Sequence, residues 1–290
     1  MKKTLQLTLA FMLSLTLLAG CGSTPAAPSN TPTPTPSNSA TPSASPSEPS
    51  GEALPEDVQA IVDRGVLRVG TKVDVPNFGY QNPDTGVVEG LEIDIAKEIA
   101  KRLLGDENAI QTQGVTAQTR GPLLDNGEVD LVIATFTITE ERKLSYNFSD
   151  PYFVDGIGFL IKKSLGASSI KELDGKTIGV AQSATTRAAL EEKATELGIT
   201  FKFEEYASYP EIKTALSSGR VDAFSVDTSI LLGYIDESTQ LLGETFKPQN
   251  YGAASKLANK GLAAYVDEVL DEMEADGTLA GLIEKWGLGK

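Results

Sequence analysis

The stretch Leu123-Leu124-Asp125-Asn126-Gly127-Glu128-Val129-Asp130 returns later in the chain as Ala215-Leu216-Ser217-Ser218-Gly219-Arg220-Val221-Asp222. Each copy reads as a helix end, a glycine able to take a left-handed turn, and a strand entered through Val-Asp. Two such units predict two α/β lobes, each on its own sheet. Working outward, short Val/Ile-rich runs alternate with amphipathic segments, the pattern of layered α/β architecture. Strands are predicted at 66–70, 129–134, 177–181 and 201–203. Leu91, Ile95, Ile99 and Leu103 share one helical face that Gly105 closes. Further helices are predicted at 187–197, closed by Gly198, and at 262–273 and 278–286. In open α/β sheets ligands sit beyond the carboxyl ends of strands. Those ends are 135–137 in one lobe and 226–227 in the other, so a ligand touching both lies in a cleft between lobes.

The 290-residue chain opens Met1-Lys2-Lys3, runs apolar from Leu5 to Leu18 and passes through Ala19-Gly20 to Cys21. A basic start, a short apolar core and small residues describe an export signal over 1–20, too short for a good membrane span. The junction resembles the bacterial lipoprotein signal, in which the cysteine gains a diacylglycerol. It predicts a chain anchored at Cys21 on the outer face of the cytoplasmic membrane. Cys21 is the only cysteine, so disulfides are excluded. Residues 21–54 are rich in Ser, Thr, Pro and Ala and read as a disordered, semi-extended tether. The net charge is −15 and no basic stripe appears, which excludes nucleic-acid binding. Histidine is absent. That removes His-based acid–base catalysis and most transition-metal sites, and the residues predict no metal, cofactor or catalytic set.

Recognition residues stand at the strand ends. From Ile133 to Arg142 a buried strand opens into the hydroxyls of Thr135 and Thr137 and then a helix start. Hydroxyls beside a guanidinium hold a carboxylate. Thr139, Glu140 and Glu141 are explained by capping and the helix dipole; Arg142 is not. Gln182 to Thr186 precedes a helix whose first amides can meet an anion, although Thr185 or Thr186 can also cap it. Asp227 suits an ammonium group, or caps the helix that follows. Lys72 and Arg120 are the remaining cations near strand ends. Phe78 and Tyr80 either wall the cleft or belong to the core.

From about Val66 to Trp286 the chain resembles the polar amino-acid-binding proteins of ABC importers, solute-binding protein family 3. The likeness rests on Gly90-Leu91-Glu92-Ile93-Asp94-Ile95-Ala96, Thr137 to Arg142, Phe148-Ser149-Asp150-Pro151-Tyr152, and Leu173-Asp174-Gly175-Lys176-Thr177-Ile178-Gly179-Val180. Thr119 to Gly127, Ile133 to Thr139 and Val221 to Asp227 are most similar to aspartate/glutamate-binding members. The resemblance implies a two-lobed, type II periplasmic-binding-protein-like fold. Lobe 1 would comprise 55–153 plus 249–290 and lobe 2 154–248, with hinges near 151–158 and 246–251. It also implies that Arg142 and Thr137, with the Thr185 amide, hold an α-carboxylate and that Asp227 takes the α-ammonium. Lys72 and Arg120 would meet a side-chain carboxylate, and Tyr209 would stand in the cleft. Ser183 and Ala184 depart from the Gly and Ser/Thr common there. Three cations against one anion favour glutamate or aspartate, since a neutral ligand would leave buried cations unpaired. The implied partners are an ABC permease and its ATPase, with the binding protein a monomer. The rivals are a cyclohexadienyl dehydratase-like enzyme, for which no unassigned cleft carboxylate is apparent, and an amino-acid sensor or adhesin.

Overall fold

The computed structural model describes residues 53–289. The predicted signal segment, Cys21 and the predicted tether up to residue 52 lie outside the described residues. Two large sheets carry the fold. The first runs Ile110–Gly114, Leu67–Thr71, Leu131–Val132, Ala254–Lys256, Tyr146–Phe148; its first three strands are parallel and Ala254–Lys256 is antiparallel to both neighbours. The second runs Lys202–Tyr206, Thr177–Ala181, Ala223–Asp227, Phe153–Lys162, Thr239–Leu241. The chain thus leaves the first sheet, builds the second and returns to complete the first. The segments that cross, Phe153–Lys162 and Phe246–Tyr251, pair antiparallel, from Phe153 opposite Tyr251 to Ile157 opposite Phe246. Two crossings side by side are the architecture of a hinge between two lobes.

The repeated octapeptide folds the same way twice. Gly127 and Gly219 both take positive φ, 70° and 78°. Gly127 and Glu128 donate their N–H groups to Leu124 and Leu123; Gly219 and Arg220 donate to Leu216 and Ala215. The Asp130 N–H meets the Arg68 carbonyl while its carboxylate takes the Arg68 N–H. Asp222 does the same with Thr177. Each aspartate therefore pins the start of the strand beside it, and this is why the predicted strand 129–134 is shorter in the sheet: only Leu131–Val132 enters the ladder.

Helix Leu91–Leu104 lays Leu91, Ile95 and Ile99 on the first sheet and ends at the left-handed Gly105. It starts at Gly90, with φ 140°, where an added Cβ would lie 2.1 Å from the Phe78 carbonyl oxygen, so only glycine fits. That contact docks the small sheet of Asp74–Val75, Gly79–Gln81 and Val88–Glu89 onto the helix. Phe159, Ile161, Ile178, Val180 and Leu190 fill a core of their own in the second lobe.

Candidate functional site

The carboxyl ends of the parallel strands meet between the lobes, and their backbone is strained on both sides. Thr135, after Leu131–Val132, has φ 44°, and Ser183, after Thr177–Ala181, has φ 60°. A β-branched residue there is an outlier that its surroundings must enforce. The enforcers of Thr135 are visible. Its N–H donates to Glu92 Oε1 at 2.5 Å, and its carbonyl and that of Ala134 accept from Arg120 Nη1 at 3.0 and 2.7 Å. Ser183 occupies a glycine-like conformation, which explains why glycine suits that place.

Lys72, Arg120, Thr135, Tyr209 and Asp227 come together in the closed interior, each 4% exposed or less. Burial, the main cause, and the charge of Asp227 push the Tyr209 hydroxyl pKa well up, and Arg120, Asp74 and Glu92 also act on it. Tyr209 therefore stands amid the buried charges of both lobes. Thr137, Arg142 and Thr185 line a groove of about 640 Å³ that opens from this interface. Arg142 spans the lobes, donating to the Thr137 carbonyl at 2.7 Å and the Ser183 carbonyl at 3.2 Å. The Phe136 ring joins the two groups, with the Arg120 and Arg142 guanidinium carbons 4.0 and 4.8 Å from its centroid. Phe78 is fully buried and packs edge-on against Phe153 and Tyr251 of the crossing strands. It braces the hinge behind the cleft.

Capping explains less than the sequence allows. Thr139 does cap, accepting from the Arg142 N–H. Asp227 sits at the N-cap position of Thr228–Leu232 without a side-chain cap bond; its carboxylate instead accepts from the Tyr251 hydroxyl. Burial raises its pKa to about 7, against the lowering pull of that bond. Thr185 likewise makes no side-chain cap; its hydroxyl donates to Gln249 Oε1 at 2.8 Å.

The count of three unmatched cations is corrected. Lys72 Nζ lies 3.0 Å from Asp74 Oδ1, both largely buried, and 4.6 Å from the Tyr209 ring centroid. Glu92, fully buried, adds a second carboxyl held by the Tyr152 hydroxyl at 2.6 Å and the Thr135 N–H. Burial raises its pKa to about 7; those two hydrogen bonds, Lys72 and Arg120 oppose the rise. Glu92 also answers the expectation of no unassigned carboxylate beside the cleft. Its signal was present: Glu92 falls on one helical face with Ile95, Ala96 and Ile99. Nothing in the local pattern marks Asp74, Gln249 or Tyr251, whose roles come from distant partners.

Among the described residues, the buried side-chain atoms Thr71 Oγ1, Glu92 Oε2, Arg120 Nε and Thr135 Oγ1 have no hydrogen-bond partner, and Asp74 Oδ1 has only the Lys72 ammonium. Those of Asp74, Glu92, Arg120 and Thr135 belong to one connected neighbourhood, linked through Lys72, the Thr135 backbone and the Arg120 guanidinium. Unpaired groups so concentrated mark a place prepared for polar atoms from outside the chain. No group of three or more metal-ligating side chains occurs among the described residues.

Residues 67–289 match the profile of the bacterial extracellular solute-binding proteins, family 3. The chain is 38% identical over 289 residues to the ABC transporter glutamine-binding protein GlnH of Bacillus subtilis, covering 99% of this chain and 97% of that one. It is 40% identical over 257 residues to a glutamine-binding protein of Geobacillus stearothermophilus, covering 88% and 92%. An ancestral arginine-binding protein bound to glutamine superposes with a TM-score of 0.69 at 36% identity, covering 78% of this chain and 99% of that one. The chain belongs to the family-3 bacterial extracellular solute-binding proteins.

Proposed function

We propose that this family-3 extracellular solute-binding protein captures a polar α-amino acid, glutamine foremost, and delivers it to the permease and ATPase of an ABC importer. It works from the outer face of the cytoplasmic membrane, held by a diacylglycerol on Cys21 and a tether. The carrying observation is the cluster of buried, incompletely paired polar atoms around Glu92 and Arg120, with Arg120 close enough to both Arg142 and Asp227 for their charges to act on one another. Arg142 and Thr137, with the Thr185 amide, suit an α-carboxylate, and Asp227 suits an α-ammonium. With Lys72 matched by Asp74 and Arg120 facing Glu92, the remaining cleft is close to electroneutral. That favours a ligand of no net charge, and the names of the relatives point the same way.

Glutamate or aspartate is the second reading, favoured by the unpartnered Arg120 Nε and by the proton that Glu92 holds near neutral pH. Isothermal calorimetry of the full chain against the proteinogenic amino acids separates them. Glutamine is expected to bind most tightly; heats from none of them would end the reading. The protein is a binder, not a catalyst: prephenate and arogenate are expected to remain unchanged on incubation with it, and their turnover would overturn this.

A further inference from the structure

Lys72 and Asp74 are buried opposite charges from one lobe that meet aromatic side chains of the other. The Lys72 side chain is 3% exposed and its Nζ sits 3.0 Å from Asp74 Oδ1. Tyr209 covers the ammonium at 4.6 Å, and the Tyr234 hydroxyl donates to the Asp74 backbone carbonyl. The second lobe thus closes over the pair and fixes Asp74 in place. Apart from the ion pair, Asp74 Oδ1 is buried without a hydrogen-bond partner. The pair as a whole carries no net charge, yet it retains a donor on Nζ and an acceptor on Oδ1.

From this we infer that Asp74 decides the charge of the ligand side chain, admitting a carboxamide and disfavouring a carboxylate. The inference rests on the amino-acid reading above and refines it. A carboxamide offers what the pair lacks: its oxygen accepts from Lys72 Nζ and its N–H donates to Asp74 Oδ1. A carboxylate can satisfy Lys72 alone, and it meets Asp74 as a like charge in a site closed to water, where such repulsion is strong. Were Lys72 alone, the preference would run the other way.

The test is calorimetric titration of the full chain with glutamine and with glutamate, on the wild type, Asp74→Asn and Lys72→Gln. The wild type is expected to prefer glutamine. Asp74→Asn, which leaves Lys72 uncompensated, should shift the glutamine-to-glutamate affinity ratio toward glutamate by about tenfold or more. Lys72→Gln, which leaves Asp74 alone, should shift it further toward glutamine. A ratio that stays put in folded Asp74→Asn overturns the inference, as does a wild type that prefers glutamate; in both cases amino-acid binding itself survives. If Asp74→Asn fails to fold, Lys72→Gln carries the test, and an unmoved ratio there is equally fatal. A wild type that binds neither ligand nor any other amino acid sinks both the inference and the reading beneath it.

Discussion

Glu92 and Asp227 are carboxyls for which burial outweighs the hydrogen bonds they receive, and both are pushed to about 7. Each has a consequence with a sign. The folded chain holds a proton on Glu92 at pH values where the unfolded chain, near the ordinary 4.5, has released it. This stabilisation is fully present below the unfolded value and is lost as pH rises through 7. Denaturant midpoints of the ligand-free chain should therefore decline less steeply between pH 5 and 8 in Glu92→Gln than in the wild type; parallel profiles would show Glu92 ionised throughout. Asp227 works on the ligand. An ammonium group favours its ionised form, so affinity should rise toward pH 7 and level off above, and calorimetry across that range would reveal it. Arg142→Ala is expected to weaken every amino acid ligand by about 100-fold or more, the order of loss when a desolvated charge partner is removed. The sequence made Arg142 legible because a guanidinium in the first turn of a helix has no capping reason to be there. It did not disclose that Lys72 is paired, because its partner Asp74 looks like any loop aspartate until the small sheet folds back.

Between residue and fold stand the two helix–turn–strand units, the best-read feature of the chain, since glycine and Val-Asp have few other uses at a helix end. Their aspartates are not equal. Asp130 is buried and adds ion pairs to Arg64 and Arg68 at 2.5 and 2.7 Å. Asp222 is half-buried, and its carboxylate takes the Thr177 N–H. Asp130→Ala should cost about 2 kcal/mol, allowing for the partial exposure of both arginines, and Asp222→Ala about 1 kcal/mol. Urea unfolding of both variants compares them, and equal losses would mean that the arginines contribute nothing. At the helix start beside the cleft, Gly90→Ala meets the Phe78 carbonyl and a backbone closed to side chains. It should cost about 3 kcal/mol or more, lowering the melting temperature by roughly 6–12 °C. The shortening of the strand at 129–134 was not legible. Only Asp130 interrupts its apolar run, and only the neighbouring strand shows that Asp130 belongs to a pinning bond and not to the ladder.

At the scale of the whole molecule the question is what holds two lobes together around a small ligand. Polar contacts that cross between the lobes include Arg142 to the Ser183 carbonyl, Lys72 on Tyr209, and the Tyr234 hydroxyl on the Asp74 carbonyl. Gly233 also approaches Pro76 so closely that a Cβ would lie 2.8 Å from the proline ring. Two lobes were legible from the repeat, and their hinges were implied by the family resemblance. These contacts were not, because each joins loops whose meeting depends on the closed geometry. Their role differs from that of Asp74 and Arg142. A contact made only when the lobes meet changes how often the closed form is populated, and apparent affinity falls by that fraction for every ligand alike. Tyr234→Phe removes one hydrogen bond of this kind while keeping the ring that packs on Phe224 and Tyr209. It should weaken all ligands by a common factor of about three to tenfold, leaving the glutamine-to-glutamate ratio unchanged. It should also raise the radius of gyration of the ligand-free chain in X-ray scattering. A changed ratio would place Tyr234 in ligand selection, and unchanged affinity and size would remove it from closure.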